Sequence, residues 1–157
     1  MLAKQNDNEH IKSLAIEVGI IDGYEYWIVP APMGGGLNGY VVFPKRPVRE
    51  KGYNGILIYV PVHGGITYAE EDNDRMVYGF DTIHLNSDEF LRTDKQWIRE
   101  QCSIMLKGIL KAKEVEAKYL RCISNKGKAK YAQMVRDISP ETELNFGEML
   151  ILLAGRL

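Results

Sequence analysis

The chain has 157 residues, 45% of them hydrophobic and 26% charged, and its formal net charge is −1. This length fits one domain that buries most of its apolar surface without cross-links. Because the net charge is close to zero, no overall field favours long nucleic acid or an anionic membrane as a partner.

The first residues and the cysteines predict a cytoplasmic protein. Residues 1–7 lack the apolar core of a signal peptide, and no run reaches the ~18 apolar residues of a membrane helix. Cys102 and Cys122 lack the short spacing of metal ligands, so reduced thiols are expected. The composition therefore indicates no membrane contact and no cofactor.

The first half of the chain predicts about five strands. Runs of β-branched and aromatic residues, bounded by glycine, proline or asparagine, lie at residues 14–21, 24–29, 39–43, 56–60 and 76–83. The dipeptide Asp22-Gly23 separates the first two runs and predicts a type I′ hairpin, because both central positions of that turn need positive φ. The acidic run 70–74 is interpreted as an exposed loop between strands.

The second half predicts helices. Thr93-Asp94 is a good N-cap, and a long helix to residue 119 or 120 follows from the 4-3-4-3 spacing of Ile98, Cys102, Met105, Ile109 and Ala112. Shorter helices are expected near residues 129–135 and from Ser139. The prediction is a single α+β domain over residues 1–157, in which an antiparallel or mixed sheet is packed by the long helix, with residues 1–12 either ordered or disordered.

Two histidines and two aspartates lie in one stretch together with permissive glycines, and we expect them near strand ends. They are His63, Asp81, His84 and Asp88. Such a set could bind a transition metal, could act as a base with an orienting acid, or could contact a ligand. A hydrogen bond that pins a loop is the simplest alternative, and no metal site is assigned.

The glycine cluster at residues 34–39 matches the pattern G-x-G-x-x-G. A predicted strand follows it, whereas a dinucleotide site needs a helix there, so that interpretation fails. Free amides in the loop could still cradle a phosphate, although a flexible connection is the plainer explanation. The basic run 45–51, which contains Arg46, could hold phosphates with Tyr40 nearby, or could simply be solvated.

Three short blocks resemble an uncharacterised family of small proteins of bacteriophages and prophages. They are Gly-Tyr-Val-Val-Phe-Pro at residues 39–44, Val-His-Gly-Gly-Ile-Thr-Tyr at 62–68, and Gly-Phe-Asp-Thr-Ile-His at 79–84. The family places an acid three residues after the last histidine, where this chain has Ser87 and then Asp88. The resemblance implies a phage accessory protein, and such proteins often neutralise host defence by binding a host protein or by capturing a nucleotide signal.

Together these features predict a protein that binds a small anionic ligand, in the first place a nucleotide. The expected ligand contacts are His63, Gly64, Gly65, Thr67, Tyr68, Asp81, His84, Tyr40 and Arg46. One alternative is a hydrolase of a phosphodiester or glycosidic bond, in which His63 or His84 is the base and Asp81 orients it. Another is an inhibitor that covers a host enzyme.

The C-terminal segment is unusually apolar, with Leu144, Phe146 and residues 149–153 close together. A helix that is apolar all round cannot hide every side against one sheet face. We therefore expect a homo-oligomer joined through this segment, with burial inside the monomer as the alternative.

Overall fold

The computed structural model describes residues 7–73, 75–84, 88–121, 133 and 136–138. The protein has an α+β fold, as predicted, with a five-stranded antiparallel sheet in its N-terminal half and a long helix after it. The strands are β1 (Glu17–Ile21), β2 (Tyr24–Pro30), β3 (Leu37–Phe43), β4 (Tyr68–Asp72) and β5 (Arg75–Phe80), in the order β1-β2-β3-β5-β4. The helices are α1 (Asp7–Ser13) and α2 (Lys95–Arg121), and 3₁₀ helices cover Ile56–Tyr59 and Leu91–Thr93.

The hairpin between β1 and β2 forms as the dipeptide predicts. Asp22 and Gly23 have φ of 49° and 85°, which places both in the left-handed region that a type I′ turn requires. This turn sets the register of the hairpin, in which Ile21 lies opposite Tyr24 and Glu17 opposite Ile28.

One predicted strand and one predicted loop are wrong, and another predicted strand is too long. Residues 56–59 form a 3₁₀ helix, whose Ile56, Leu57 and Tyr59 are buried while Ile58 is exposed. The acidic run is not a loop, because its first three residues belong to the edge strand β4. The last predicted strand ends at Phe80, so Asp81 and His84 follow the sheet and do not belong to it.

The two faces of the sheet bury different sets of side chains. The larger core lies between the sheet, the 3₁₀ helix at residues 56–59 and α2, and it contains Ile28, Val41, Phe43, Tyr78 and Phe80. The opposite face holds a smaller cluster of Trp27, Val29, Tyr40, Val42 and Val77, against which Ile11 of α1 and Tyr68 pack. Residues 7–12, which the sequence leaves open between order and disorder, therefore form most of a helix that contributes to this face.

The long helix begins where its capping residue predicts. Asp94 Oδ1 accepts a hydrogen bond of 2.9 Å from the amide of Gln96, as an N-cap side chain does. The predicted apolar stripe is fully buried, with Ile98, Cys102, Met105, Ile109 and Ala112 all at 0% exposure. Residues 133 and 136–138 are helical, whereas the rest of the predicted C-terminal helices and the apolar segment 149–153 lie outside the described residues.

Candidate functional site

His63 lies in a tight loop after the 3₁₀ helix. Gly64 and Gly65 follow with φ of 74° and 79°, and the amide of Gly65 donates to the carbonyl of Val62 at 2.9 Å. The backbone amide of His63 itself donates to Gln101 Oε1 of α2 at 2.9 Å. Both interactions use the backbone, and they fix the position of the loop.

The structure brings His63 and His84 together. Their ring centroids are 4.5 Å apart at an interplanar angle of 64°. On another side of His63, the indole of Trp97 lies 5.1 Å away at 71°. All three rings are only partly buried, so this His63–His84 pair and its tryptophan stand at the surface of the protein.

Gly64 allows the close approach of His84. A Cβ built on Gly64 would overlap the imidazole of His84, and the positive φ also disfavours any other residue there. A Cβ on Gly65 would meet nothing within 4 Å, although its φ is similar. The two glycines of the motif therefore have different roles, since only the first makes room for the second histidine.

The electrostatics of the pair favour a neutral His63. Burial lowers the pKa of His63 below the usual 6.5, and the charge of His84 lowers it further. Asp81 is not among the causes of this shift. The predicted arrangement of a histidine with Asp81 as its orienting acid therefore finds no support in the electrostatics of His63.

Tyr40 and Tyr68 pack against each other on the face of the smaller cluster, away from α2. Their ring centroids are 5.5 Å apart, and the Tyr68 hydroxyl donates to Asn8 Oδ1 at 2.7 Å. Burial raises the pKa of Tyr40, and the charge of Asp81 raises it further, so Asp81 lies near Tyr40. The predicted ligand set is thus divided between two places.

The remaining predicted contacts also separate. Thr67 lies beside β5, since its amide donates to the carbonyl of Gly79 at 2.9 Å. Arg46 lies at the other end of the sheet, where its Nε is 3.4 Å from Glu71 Oε2. Asp88 Oδ1 accepts a hydrogen bond of 2.8 Å from the amide of Phe90, a local turn contact rather than a contact with the histidines.

The glycine loop borders a separate cleft. A space of about 400 Å³ is lined by Gly36, Ile16, Thr93 and Lys95 among others, and none of the predicted ligand residues lines it. The loop is held by two backbone hydrogen bonds, from Ala31 to Gly36 at 3.0 Å and from Gly34 to Ala31 at 2.9 Å. The strand β3 follows the loop, which agrees with the rejection of a dinucleotide site.

The sequence interpretation missed two members of the histidine site. They are Trp97 and Gln101. Both lie on the first turns of α2, four residues apart and thus on one side of the helix. That spacing can be read from the sequence, but the proximity of the two residues to His63 depends on how α2 crosses the loop that contains His63.

Among the described residues, no three histidine, cysteine, aspartate or glutamate side chains stand together as potential metal ligands. No helix in the described part of the chain is long and apolar enough to cross a bilayer. Comparison of the chain with protein-family models, with curated proteins and with solved structures finds no match.

Proposed function

We propose that the protein binds a small anionic ligand, a nucleotide in the first place, at the His63–His84 pair. The observation that carries the proposal is the 4.5 Å between the two ring centroids at the protein surface. A protonated imidazole has two N–H donors, so His63 can offer hydrogen bonds and positive charge to a phosphate group, while His84, whose Nε2 is buried against Gly64, contributes charge. Gly64 and Gly65 keep the backbone close to the same place without side chains in the way.

Trp97 supports a nucleotide rather than a simple anion. Its indole lies 5.1 Å from the ring of His63 and remains partly exposed. Stacking on an aromatic ring contributes about 1–3 kcal/mol per base and tolerates any base. A phosphate at the histidines and a base on Trp97 would thus use neighbouring parts of one surface.

The charge state of the pair couples binding to pH. In the free protein the charge of His84 opposes protonation of His63. A bound phosphate would offset this repulsion and raise the pKa of His63, so binding would take up protons. Affinity should therefore rise as the pH falls from about 8 to about 6.

The proposed setting is the cytoplasm of a bacterial host, where the protein would act as a phage accessory protein. The resemblance of residues 39–44, 62–68 and 79–84 to a phage and prophage family supports this setting. Capture of a nucleotide immune signal is the role that best accounts for both a phage origin and a site that binds an anion.

The test is a thermal shift and calorimetry panel of cyclic and linear nucleotides, with inorganic phosphate as the minimal probe. A ligand at 100 times its Kd should stabilise the protein by about 2.7 kcal/mol, which corresponds to a rise in Tm of roughly 5–10 °C. His63→Gln should abolish the shift. His10→Gln is the matched control, because His10 is an exposed residue of α1 and is the one histidine of the chain outside the pair. The absence of any shift across the panel, or an equal loss in both variants, would contradict the proposal.

A hydrolase of phosphodiester bonds is the second candidate, and the lowered pKa of His63 favours it. A histidine that is neutral at neutral pH can accept a proton, and a second imidazole can return one to the leaving group. Asp81 is left out of this mechanism, because it is not among the causes of the pKa shift of His63. Phosphorus NMR of the nucleotide panel separates the two candidates. New phosphate signals would indicate turnover. Bound ligand without new signals would support binding without hydrolysis.

A further inference from the structure

The two edges of the sheet differ in charge. The edge strand β4 carries Glu70, Glu71 and Asp72, of which Glu71 pairs with Arg46 and Asp72 with Arg75, and such charged side chains disfavour pairing with a strand of another molecule. The opposite edge is β1, whose one charged residue is Glu17. That carboxylate receives hydrogen bonds of 2.6 Å from Arg99 Nε and Nη2 of α2, so its charge is compensated within the subunit.

The strand β1 also presents an apolar stripe to solvent. Val18 and Ile20 lie on one face of this strand and are 50% and 66% exposed. Val18 lies opposite Trp27 of β2, which is fully buried, so the stripe continues a covered apolar surface to the rim of the sheet. The stripe contains no lysine, proline or other device that usually protects an edge strand.

The hydrogen-bond pattern of the hairpin leaves backbone groups of the same strand free to pair. In a hairpin with a two-residue turn, Ile21 and Tyr24 form the hydrogen-bonded pair next to the turn, and the pattern alternates from there. Gly19 therefore bonds towards β2, whereas the N–H and C=O groups of Val18 and Ile20 face outward.

We propose that β1 is a homodimer interface, at which a second copy of the chain extends the sheet from five strands to ten. An antiparallel register centred on Gly19 places Val18 of each copy opposite Ile20 of the other, so both apolar side chains and all outward backbone groups find partners. The contact brings no unpaired charge into the interface, because Glu17 is bound to Arg99. Because a two-fold contact uses the same strand of both copies, the assembly closes at two copies.

The test is the mass of the full chain by analytical ultracentrifugation over a concentration series, with circular dichroism as a check of folding. The native chain should dimerise. Val18→Lys should raise the dimer Kd at least tenfold, because it puts a charge on the contact. Ile58→Lys is the matched control: Ile58 is 54% exposed, lies outside the sheet, and should leave the Kd unchanged. If Val18→Lys does not fold, Ile20→Lys replaces it.

Two results would overturn the proposal. One is a native chain that stays monomeric at several hundred micromolar. The other is a dimer that survives both Val18→Lys and Ile20→Lys but is lost in Leu150→Glu, which would assign the contact to the C-terminal segment instead.

Discussion

The two glycines after His63 offer a matched pair of substitutions that isolates the contact with His84. Gly64→Ala and Gly65→Ala change adjacent residues that have nearly the same φ, 74° and 79°. They differ in their surroundings, because a Cβ at Gly64 overlaps the imidazole of His84 and a Cβ at Gly65 meets nothing within 4 Å. Both variants therefore strain the backbone, but only Gly64→Ala displaces His84.

The expected magnitudes follow from these two costs. An alanine in the left-handed region costs roughly 1–2 kcal/mol, which should be the whole effect of Gly65→Ala. Gly64→Ala adds an overpacking cost of about 1–3 kcal/mol, because the histidine ring must move. We therefore expect the free energy of unfolding of Gly64→Ala to be lower than that of Gly65→Ala by about 1–3 kcal/mol.

Urea denaturation measures the free energies, and an NMR titration of the His63 ring reports the site. Displacement of His84 removes one of the two causes that lower the pKa of His63, so that pKa should rise in Gly64→Ala and stay unchanged in Gly65→Ala. Nucleotide binding should be lost in the first variant and kept in the second. Equal destabilisation together with an unchanged pKa of His63 in both variants would refute the proposed pairing of the rings.

Three further predictions concern stability. Glu17→Gln should lower the free energy of unfolding by about 1 kcal/mol at neutral pH. The pKa of Glu17 is lowered from 4.5 to about 2, which corresponds to about 3 kcal/mol, and solvent around the Arg99 pair reduces this value. In urea titrations the difference between variant and native protein should vanish as the pH falls from about 4.5 to 2. Folding lowers the pKa of His63, so protonation of His63 below about pH 6.5 should destabilise the native protein. Thermal melts at matched pH should show a larger loss of Tm on acidification for the native protein than for His63→Gln. Asn8→Ala should cost about 1–3 kcal/mol in urea, because a buried amide that bonds Tyr68 is lost; a change below 0.5 kcal/mol would contradict it.

Strands that are marked by a turn dipeptide or a clear hydrophobic pattern could be predicted from the sequence. Strands that lack such a mark could not. The turn at Asp22-Gly23 determines the first hairpin, and it was visible in the dipeptide. A short apolar run such as residues 56–60 has no periodicity that separates a strand from a helical turn, so the sequence predicts a strand where a 3₁₀ helix forms. The strand β4 was missed because its acids resemble a loop, although charged side chains are the usual protection of an edge strand.

The candidate site could be predicted only in part. The approach of His63 and His84 was anticipated as a grouping in sequence, but their contact depends on the Gly64 loop and on the chain after β5. The sequence predicts a strand that continues to residue 83, and it therefore groups Asp81 with His84 at the end of that strand. The strand ends at Phe80, and the charge of Asp81 then acts on Tyr40 of the other face. The role of Trp97 required knowledge of how α2 crosses the sheet, which a single sequence does not supply.

The strand order also has a consequence for the kinetics of folding. The strands β1, β2 and β3 form a meander of neighbours along the chain, whereas β5 must return to β3 across residues 44–67. Contacts that close long loops form slowly, so we expect the meander to form before β5 docks. His63 lies within the returning segment, and His84 follows β5. The two rings can therefore meet only after this last step, and the fluorescence of Trp97 beside His63 should report its rate in stopped-flow refolding.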